Sequence, residues 1–366
     1  MSGGFPYQSA FDEATETKLE IFENYLKEWL PTFIYGSRSQ TINIVDFFAG
    51  CGYDVEGNPG SPVRILRVIK GYKEHIVRND GQIRVLLNEK NSAKYKELKK
   101  ITEDEIRSTG LSNRNLKVTC TDIDFEMLFD VVKPYLSSGN NFLFFDQNGI
   151  KYFTKEILLF LDNAPKTDFM VFVSSSYVNR FGFPEHLPDF NIDRDRKDYF
   201  HIHQHLLNYF RKWIPSGSDL KLYPFSLKKE NSGNIYGLVF GSKHLLGVEK
   251  FLNVAWKINS NNGNANFDIE GDHQKLQTNL FMSPRLTKKE AFEKEFSENF
   301  CMKGVFDNKE AYLFTLDKGH PPSHAKDILT KMRNEGILEH FSYPKINYKQ
   351  IYTEKNVVNF RVKNGR

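Results

Sequence analysis

Four short segments end on side chains that could hold a small ligand and act on it. VDFFAGCG (45–52) closes an apolar run with Asp46 and follows it with Phe48, Gly50 and Gly52. Glu89 ends a second apolar run, Asp122 and Asp124 end a third in CTDID, and Asp146 ends a fourth in FFDQNG, two residues before Asn148. Glycines without a Cβ let a ligand approach the backbone closely and permit unusual dihedrals. A carboxylate at the end of the second strand can accept two neighbouring hydroxyls, as in nucleoside-binding folds. Asp46 suits an ammonium or an ordered water, and Asp122 with a neighbouring amide suits an adenine edge. Asp146, with Asn148, suits orienting an acceptor or taking its proton. Each residue also has a plain structural role: a tight turn at the glycines, a surface carboxylate at Glu89, a helix cap at Asp122 or Asp124. Four polar strand ends in one register are more specific than any one of them.

Other chemistries find less support. His201 and His205 of HIHQH share a helical face, a spacing that zinc sites use, but no HExxH pattern or third ligand accompanies them, so surface histidines are expected. SSSY (174–177) lacks the GxSxG elbow of a serine hydrolase. Cys51, Cys120 and Cys301 form no CxxC pair, which argues against a zinc ribbon or a disulfide framework.

The elements that must position the four segments are legible. ETKLEIFENYLKEWL (16–30) spaces Leu19, Phe22, Tyr25, Leu26 and Trp29 as an amphipathic helix stopped by Pro31. TINIVDFFAG reads as a buried parallel strand, and SPVRILRVIKGY as a helix with Ser61 as N-cap and Pro62 at its first position. QIRVLLNE, LKVTCTD, NFLFFDQNG and DFMVFVSSS follow as strands, each with a helix after it. In KDYFHIHQHLLNYFRKWI the stripe is Tyr199, His203, Leu206, Phe210 and Trp213. DLKLYPFSLK and NIYGLVFGSK read as a closing strand pair. Five strand–helix repeats imply a parallel α/β sheet covered on both faces, with an antiparallel edge. This is the Rossmann-like sheet expected of class I methyltransferases, over residues 1–258.

Residues 259–284 are polar and Asn/Gly-rich and read as a linker. In 285–366, KKEAFEKEFSENF, NKEAYLFTLDKG and SHAKDILTKMRNEGIL read as helices, and YKQIYT and NVVNFRVK as a hairpin, the order of a winged helix. Lys326, Lys331 and Arg333 on the third helix, and Lys345, Lys349 and Lys355 in the candidate wing, are positioned to meet phosphates. Acidic residues are mixed among them, so a protein partner is also open.

The 366 residues carry a net charge of +4, enough for a local basic face and no more. The N-terminus shows no basic region followed by an apolar stretch, and no apolar run approaches the ~18 residues of a membrane span. A cytoplasmic protein is expected.

Lys18, Tyr25-Leu26 and Trp29, then VDFFAGCG, GSP at 60–62, NEKN, FFDQNG and SSYVNRF together resemble the three-Cys-motif partner (TcmP) family. The resemblance runs over most of 15–258, and the tail fits as well. It implies a methyltransferase-like fold binding S-adenosylmethionine, with cofactor roles for Asp46, Gly50, Gly52 and Glu89. The family usually has proline after the fourth-strand aspartate, whereas this chain reads Asp146-Gln147-Asn148-Gly149. A DPPY or NPPF motif for amine methylation is missing, and no cysteine follows a proline as cytosine-5 methylation requires. The expectation is a methyltransferase acting on nucleic acid, DNA or RNA, or on a substrate associated with it. The alternative is a non-catalytic nucleic-acid- or protein-binding subunit with a vestigial pocket, one component of a bacterial or phage defence system.

Overall fold

The computed structural model describes residues 10–36, 40–147, 149–174, 201–228, 235–269, 271 and 286–363. The chain falls into two compact units, Met1–His244 and Leu245–Arg366. Helix α8 (Leu245–Ile258), the last element expected in the sheet domain, therefore groups with the C-terminal unit.

In the N-terminal unit the order is α1 (Glu13–Ile34), β1 (Thr41–Asp46), α2 (Ser61–Gly71), α3 (Lys73–Arg78), β2 (Gln82–Asn88), α4 (Ser92–Thr109), β3 (Leu116–Thr121), α5 (Phe125–Leu136), β4 (Asn140–Phe145), α6 (Lys155–Asn163), β5 (Thr167–Ser174), α7 (Ile202–Arg211), β6 (Lys221–Lys228) and β7 (Ile235–Ser242). Among the described residues they form a seven-stranded sheet ordered β3-β2-β1-β4-β5-β7-β6. The first five strands are parallel; β7 runs antiparallel to both β5 and β6. The strand order is that of the expected Rossmann-like α/β sheet, with the late strand pair at its edge.

Strand β4 shows why both faces are covered. All six of its residues are buried: Phe142 to Phe145 as an apolar run predicts, and Asn140 and Asn141 with their side chains hydrogen-bonded. Phe142 and Phe144 face α1, whose Phe22, Tyr25 and Trp29 rings lie 4.4–5.5 Å from them. Leu143 and Phe145 face the other way, into a core shared with α5, α6 and α7. Tyr25 also donates to Asp168 Oδ2 on β5 at 2.7 Å, so a specific bond adds to the packing that fixes α1 to the sheet.

Two helix-boundary expectations fail. Pro31 lies inside α1, which continues to Ile34. Ser61 does not cap α2: Gly60 is the N-cap, and Ser61, one residue inside the helix, donates its hydroxyl to the buried Asp46.

The C-terminal unit contains α8, α9 (Lys288–Lys303), β8 (Val305–Asp307), α10 (Asn308–Asp317), α11 (Pro322–Asn334) and β9 (Asn359–Arg361). Thr287 with Glu290 and Asp307 with Glu310 form reciprocal capping boxes that start α9 and α10. Phe292, Phe296 and Phe300, one helical turn apart on α9, are buried with Phe306, Leu316, Leu329 and Phe360. Strand β9 pairs antiparallel with β8, and Val362 bridges to Leu338. YKQIYT is not a strand: Lys349–Thr353 forms a π-helical turn. Its apolar residues Tyr348, Ile351 and Tyr352 recur at helical spacing, and Tyr348 stacks on Tyr352 at 5.0 Å. No helix among the described residues is long and apolar enough to cross a membrane.

Candidate functional site

A cavity of about 770 Å³ opens in the N-terminal unit over the carboxyl ends of β1, β2 and β4. Open α/β sheets place ligands there, because strand-end loops and helix N-termini converge at that edge. Phe48, Gly50, Gly52, Glu89 and Asp146 all line it, as do Lys18 and Thr15 of α1 and the rings of Phe172 and Tyr236. Of the remaining site candidates, Asp46 is buried behind the cavity, Asp122 is exposed outside its lining, and Asn148 lies outside the described residues.

The glycine turn needs its glycines. Gly50 has φ 69° and Gly52 φ 103°, the left-handed region. A Cβ on Gly52 would also stand 3.1 Å from the Ile101 Cγ2 of α4. A side chain at this position would be strained, and the Ile101 side chain would have to give way by a few tenths of an ångström. Asp54, not singled out by sequence, shapes the long loop that follows. Its carboxylate accepts from the amides of Phe11, Glu56 and Asn58, which ties the entry to α1 onto that loop.

Asp46 is fully buried. It accepts from Ser61 Oγ at 2.6 Å and from the Phe48 amide at 3.1 Å. Burial outweighs both hydrogen bonds, and nearby Asp146 adds repulsion, so its carboxyl is pushed up to about 7. Asp46 thus holds the turn and the start of α2 from beneath. Asn88, beside Glu89, knits three strand ends. It donates to Phe47 O and Ile123 O, and accepts from Thr121 Oγ1 and the Ile123 amide. Glu89 accepts from the Asn91 amide through Oε1 at 2.7 Å, and its side chain lines the cavity. Asp124 precedes α5 without a side-chain cap bond and pairs with Lys90.

At the opposite end, Lys18 donates to Asp146 Oδ2 at 2.5 Å and lies 4.4 Å from the centre of the Phe172 ring. The Phe172 and Tyr236 rings stack at 5.4 Å. Gln147, next in sequence to Asp146, is buried; its Oε1 accepts from the Tyr152 amide, while its Nε2 has no hydrogen-bond partner among the described residues. The sequence marked Lys18 only through a resemblance. Its helical position places it on the buried face with Tyr25 and Leu26, where a lysine without a charge partner would be costly.

Histidine 203 is buried, 3.2 Å from Ser226 Oγ through Nδ1, and burial holds it neutral, with its pKa down to about 3. It is a core residue, at the position the helical stripe gave it, whereas His201 and His205, the expected surface positions, are half-buried.

The predicted phosphate-binding residues sit in the C-terminal unit, most of them engaged. Lys331 pairs with Glu293 at 2.5 Å, and Arg333 donates to Phe341 O and Ser342 O over the Phe341 ring. Lys326 lies 4.9 Å from the Tyr343 ring centre, and Lys349 is exposed, 3.7 Å from Glu354.

No protein-family model matches the chain, and no curated protein matches it either. Among solved structures it is similar to Trm1 from Pyrococcus horikoshii in complex with S-adenosyl-L-methionine, at 11% identity and a TM-score of 0.40 over 84% of this chain and 90% of that one. It is also similar to a precorrin-6y C5,15-methyltransferase from Geobacter metallireducens GS-15, at 10% identity and a TM-score of 0.31 over 64% and 94%. These are distant likenesses, and the fold assignment rests on the strand order itself.

Proposed function

We propose that the N-terminal unit binds S-adenosylmethionine at the strand ends and transfers its methyl group to a nucleic acid or a nucleic-acid-associated acceptor. The observation that carries this reading is the meeting of Gly50, Gly52, Glu89 and Asp146, from three different strand ends, in one 770 Å³ cavity. The cradle fits the cofactor: two left-handed glycines clear space at the main chain, and a carboxylate stands at the end of the neighbouring strand. When bound, the cofactor supplies an electrophilic methyl group on a sulfonium.

In this reading Glu89 accepts the ribose hydroxyls, and Gly50 and Gly52 admit the chain of the cofactor. Phe48 offers a ring to the nucleoside, and the amide region beside Asp122 reads the adenine. Asp146 orients the acceptor from the β4 end, and Asn148 follows it in sequence. Because methyl transfer needs an in-line approach, most of the acceleration would come from positioning. Asp46 acts indirectly, by holding the turn.

For the C-terminal unit we propose a winged-helix-like domain that meets nucleic acid. Support comes from the order helix–strand–helix–helix–strand, with Leu338 bridged to Val362. In this reading Lys326, Lys331 and Arg333 on α11 and the exposed Lys349 and Lys355 meet the phosphates, Lys331 and Lys349 each having an acidic neighbour, Glu293 and Glu354.

Calorimetric titration of S-adenosylmethionine and S-adenosylhomocysteine, with Glu89→Ala as control, tests the pocket. Binding that the substitution abolishes supports it; no binding of either nucleoside refutes it. A second reading is a partner subunit with a vestigial pocket, favoured by the Lys18 ammonium already occupying Asp146. It requires nucleic-acid binding to persist while both nucleosides fail to bind.

A further inference from the structure

Lys18 is a buried ammonium at a cavity wall. Its side chain is 7% exposed, yet it lines the cavity. An ammonium has three N–H donors. One goes to Asp146 Oδ2, and the Phe172 ring lies close to the nitrogen. No other acceptor of Lys18 occurs among the described residues, so donor capacity is left at the cavity surface. A buried ammonium is stabilised by further anionic or carbonyl oxygens. Asp146 fixes the nitrogen from behind, and α1 is itself anchored. Arg64 of α2 pairs with Glu16 and Glu23 on either side of Lys18, and Tyr25 bonds to Asp168. The lysine is therefore held in place by bonds on both sides along its helix.

The position along the sheet specifies what the spare donors would meet. Glu89 ends β2 and Asp146 ends β4, with β1 between them. Two strand spacings separate the two ends by roughly 10 Å. A nucleoside whose ribose is held by Glu89 and whose 5′ arm runs across the glycine turn reaches the Lys18 end with the tip of that arm.

We propose that Lys18 is the carboxylate subsite of this cavity: it receives the carboxylate of an amino-acid arm carried on the 5′ position of an adenine nucleoside. This rests on the methyl-donor reading above and names the residue that recognises the non-nucleoside end of that ligand. Asp146 is then the positioning partner that holds the ammonium, while its second oxygen stays available to the acceptor.

The test is equilibrium binding, independent of turnover, on the full chain. Wild type is titrated calorimetrically with S-adenosylhomocysteine, with its decarboxylated analogue, and with 5′-methylthioadenosine, which lacks the whole amino-acid arm. The expected result is binding of S-adenosylhomocysteine roughly 10- to 100-fold tighter than the decarboxylated analogue, the range of one charge-assisted hydrogen bond. Lys18→Met should erase that preference and leave 5′-methylthioadenosine affinity within about twofold, and Lys18→Arg should restore most of it. Equal binding of the acid and its decarboxylated analogue by wild type overturns the proposal even if the Lys18→Met chain fails to fold. So does a Lys18→Met chain that weakens all three ligands alike. Failure of wild type to bind any of the three refutes the methyl-donor reading itself, a different outcome from binding without discrimination.

Discussion

The buried Asp46 makes the N-terminal unit's stability depend on pH in an unusual direction. Its carboxyl is raised to about 7 in the fold, against an ordinary value near 3.8. A raised acid pKa means that the folded state holds the proton more tightly than the unfolded one. Its contribution is therefore best below the unfolded value and is progressively lost as pH rises toward the folded value. At about pH 5.5 the folded chain keeps the proton and the unfolded chain has released it, a cost of about 2 kcal/mol at 1.36 kcal/mol per unit. At about pH 8 both are ionised, and the cost approaches about 4 kcal/mol. Asp46→Asn keeps an oxygen to accept from Ser61 or Phe48 and cannot ionise. The stability difference between variant and wild type should thus shift in the variant's favour by about 2 kcal/mol between those two pH values. Urea unfolding of both proteins at each pH measures it, and the subtraction cancels the titrating groups that do not interact with Asp46. A difference that stays constant across pH would refute the reasoning: Asp46 would then be ionised over the whole range, with the Ser61 and Phe48 bonds outweighing burial.

The C-terminal unit should respond the opposite way. His320 and His324 lie 2.9 Å apart through Nδ1, with His320 stacked on Phe292 and both beside Trp256; burial holds them near 2 and 4. Lowered histidine pKa values give stability that is present above about pH 6.5 and lost as pH falls below it. The loss is about 1.4 kcal/mol per pH unit for each ring until its folded value is reached, and proton NMR of the two rings should show no titration near pH 6.5. Gly52→Ala should cost roughly 1–2 kcal/mol in urea unfolding, because it must adopt φ 103° beside Ile101, and should weaken nucleoside binding more than tenfold; unchanged affinity would remove the turn from the site. Tyr25→Phe deletes the bond to Asp168 between α1 and β5, and thermal unfolding should report a loss of about 1–3 kcal/mol. Lys349→Glu with Lys355→Glu should weaken binding to duplex DNA or RNA and lower the slope of log affinity against log salt by about 2; an unchanged slope would move the contact off the wing.

Much of the scaffold was written in local pattern. Short, largely apolar runs ending in Asp46, Glu89 and Asp146 marked parallel strands with polar ends, and β4 is buried at every position. Gly50 and Gly52 were readable because an L-residue resists their dihedrals whatever surrounds them. The capping boxes at Thr287 and Asp307 needed only a spacing of three residues. YKQIYT misled because two tyrosines and an isoleucine suit a strand by type, while their spacing is helical.

What local pattern cannot hold is a partner far along the chain. Lys18 reads as one polar residue on an amphipathic helix; its meaning comes from Asp146, 128 residues away, which only the packing of α1 against β4 brings within reach. Ser61 had every mark of an N-cap, yet the cap lies one residue earlier, at Gly60, and the Ser61 hydroxyl donates to Asp46, 15 residues away. The local pattern of α11 likewise could not show that Lys331 pairs with Glu293, or that Arg333 donates to the carbonyls of Phe341 and Ser342. Sequence alone determined which residues end the strands and which turns demand glycine, since both follow from backbone sterics and apolar periodicity. Tertiary structure decided which carboxylates face the cavity and which lie behind it, because charge pairing and burial depend on distances across the sheet.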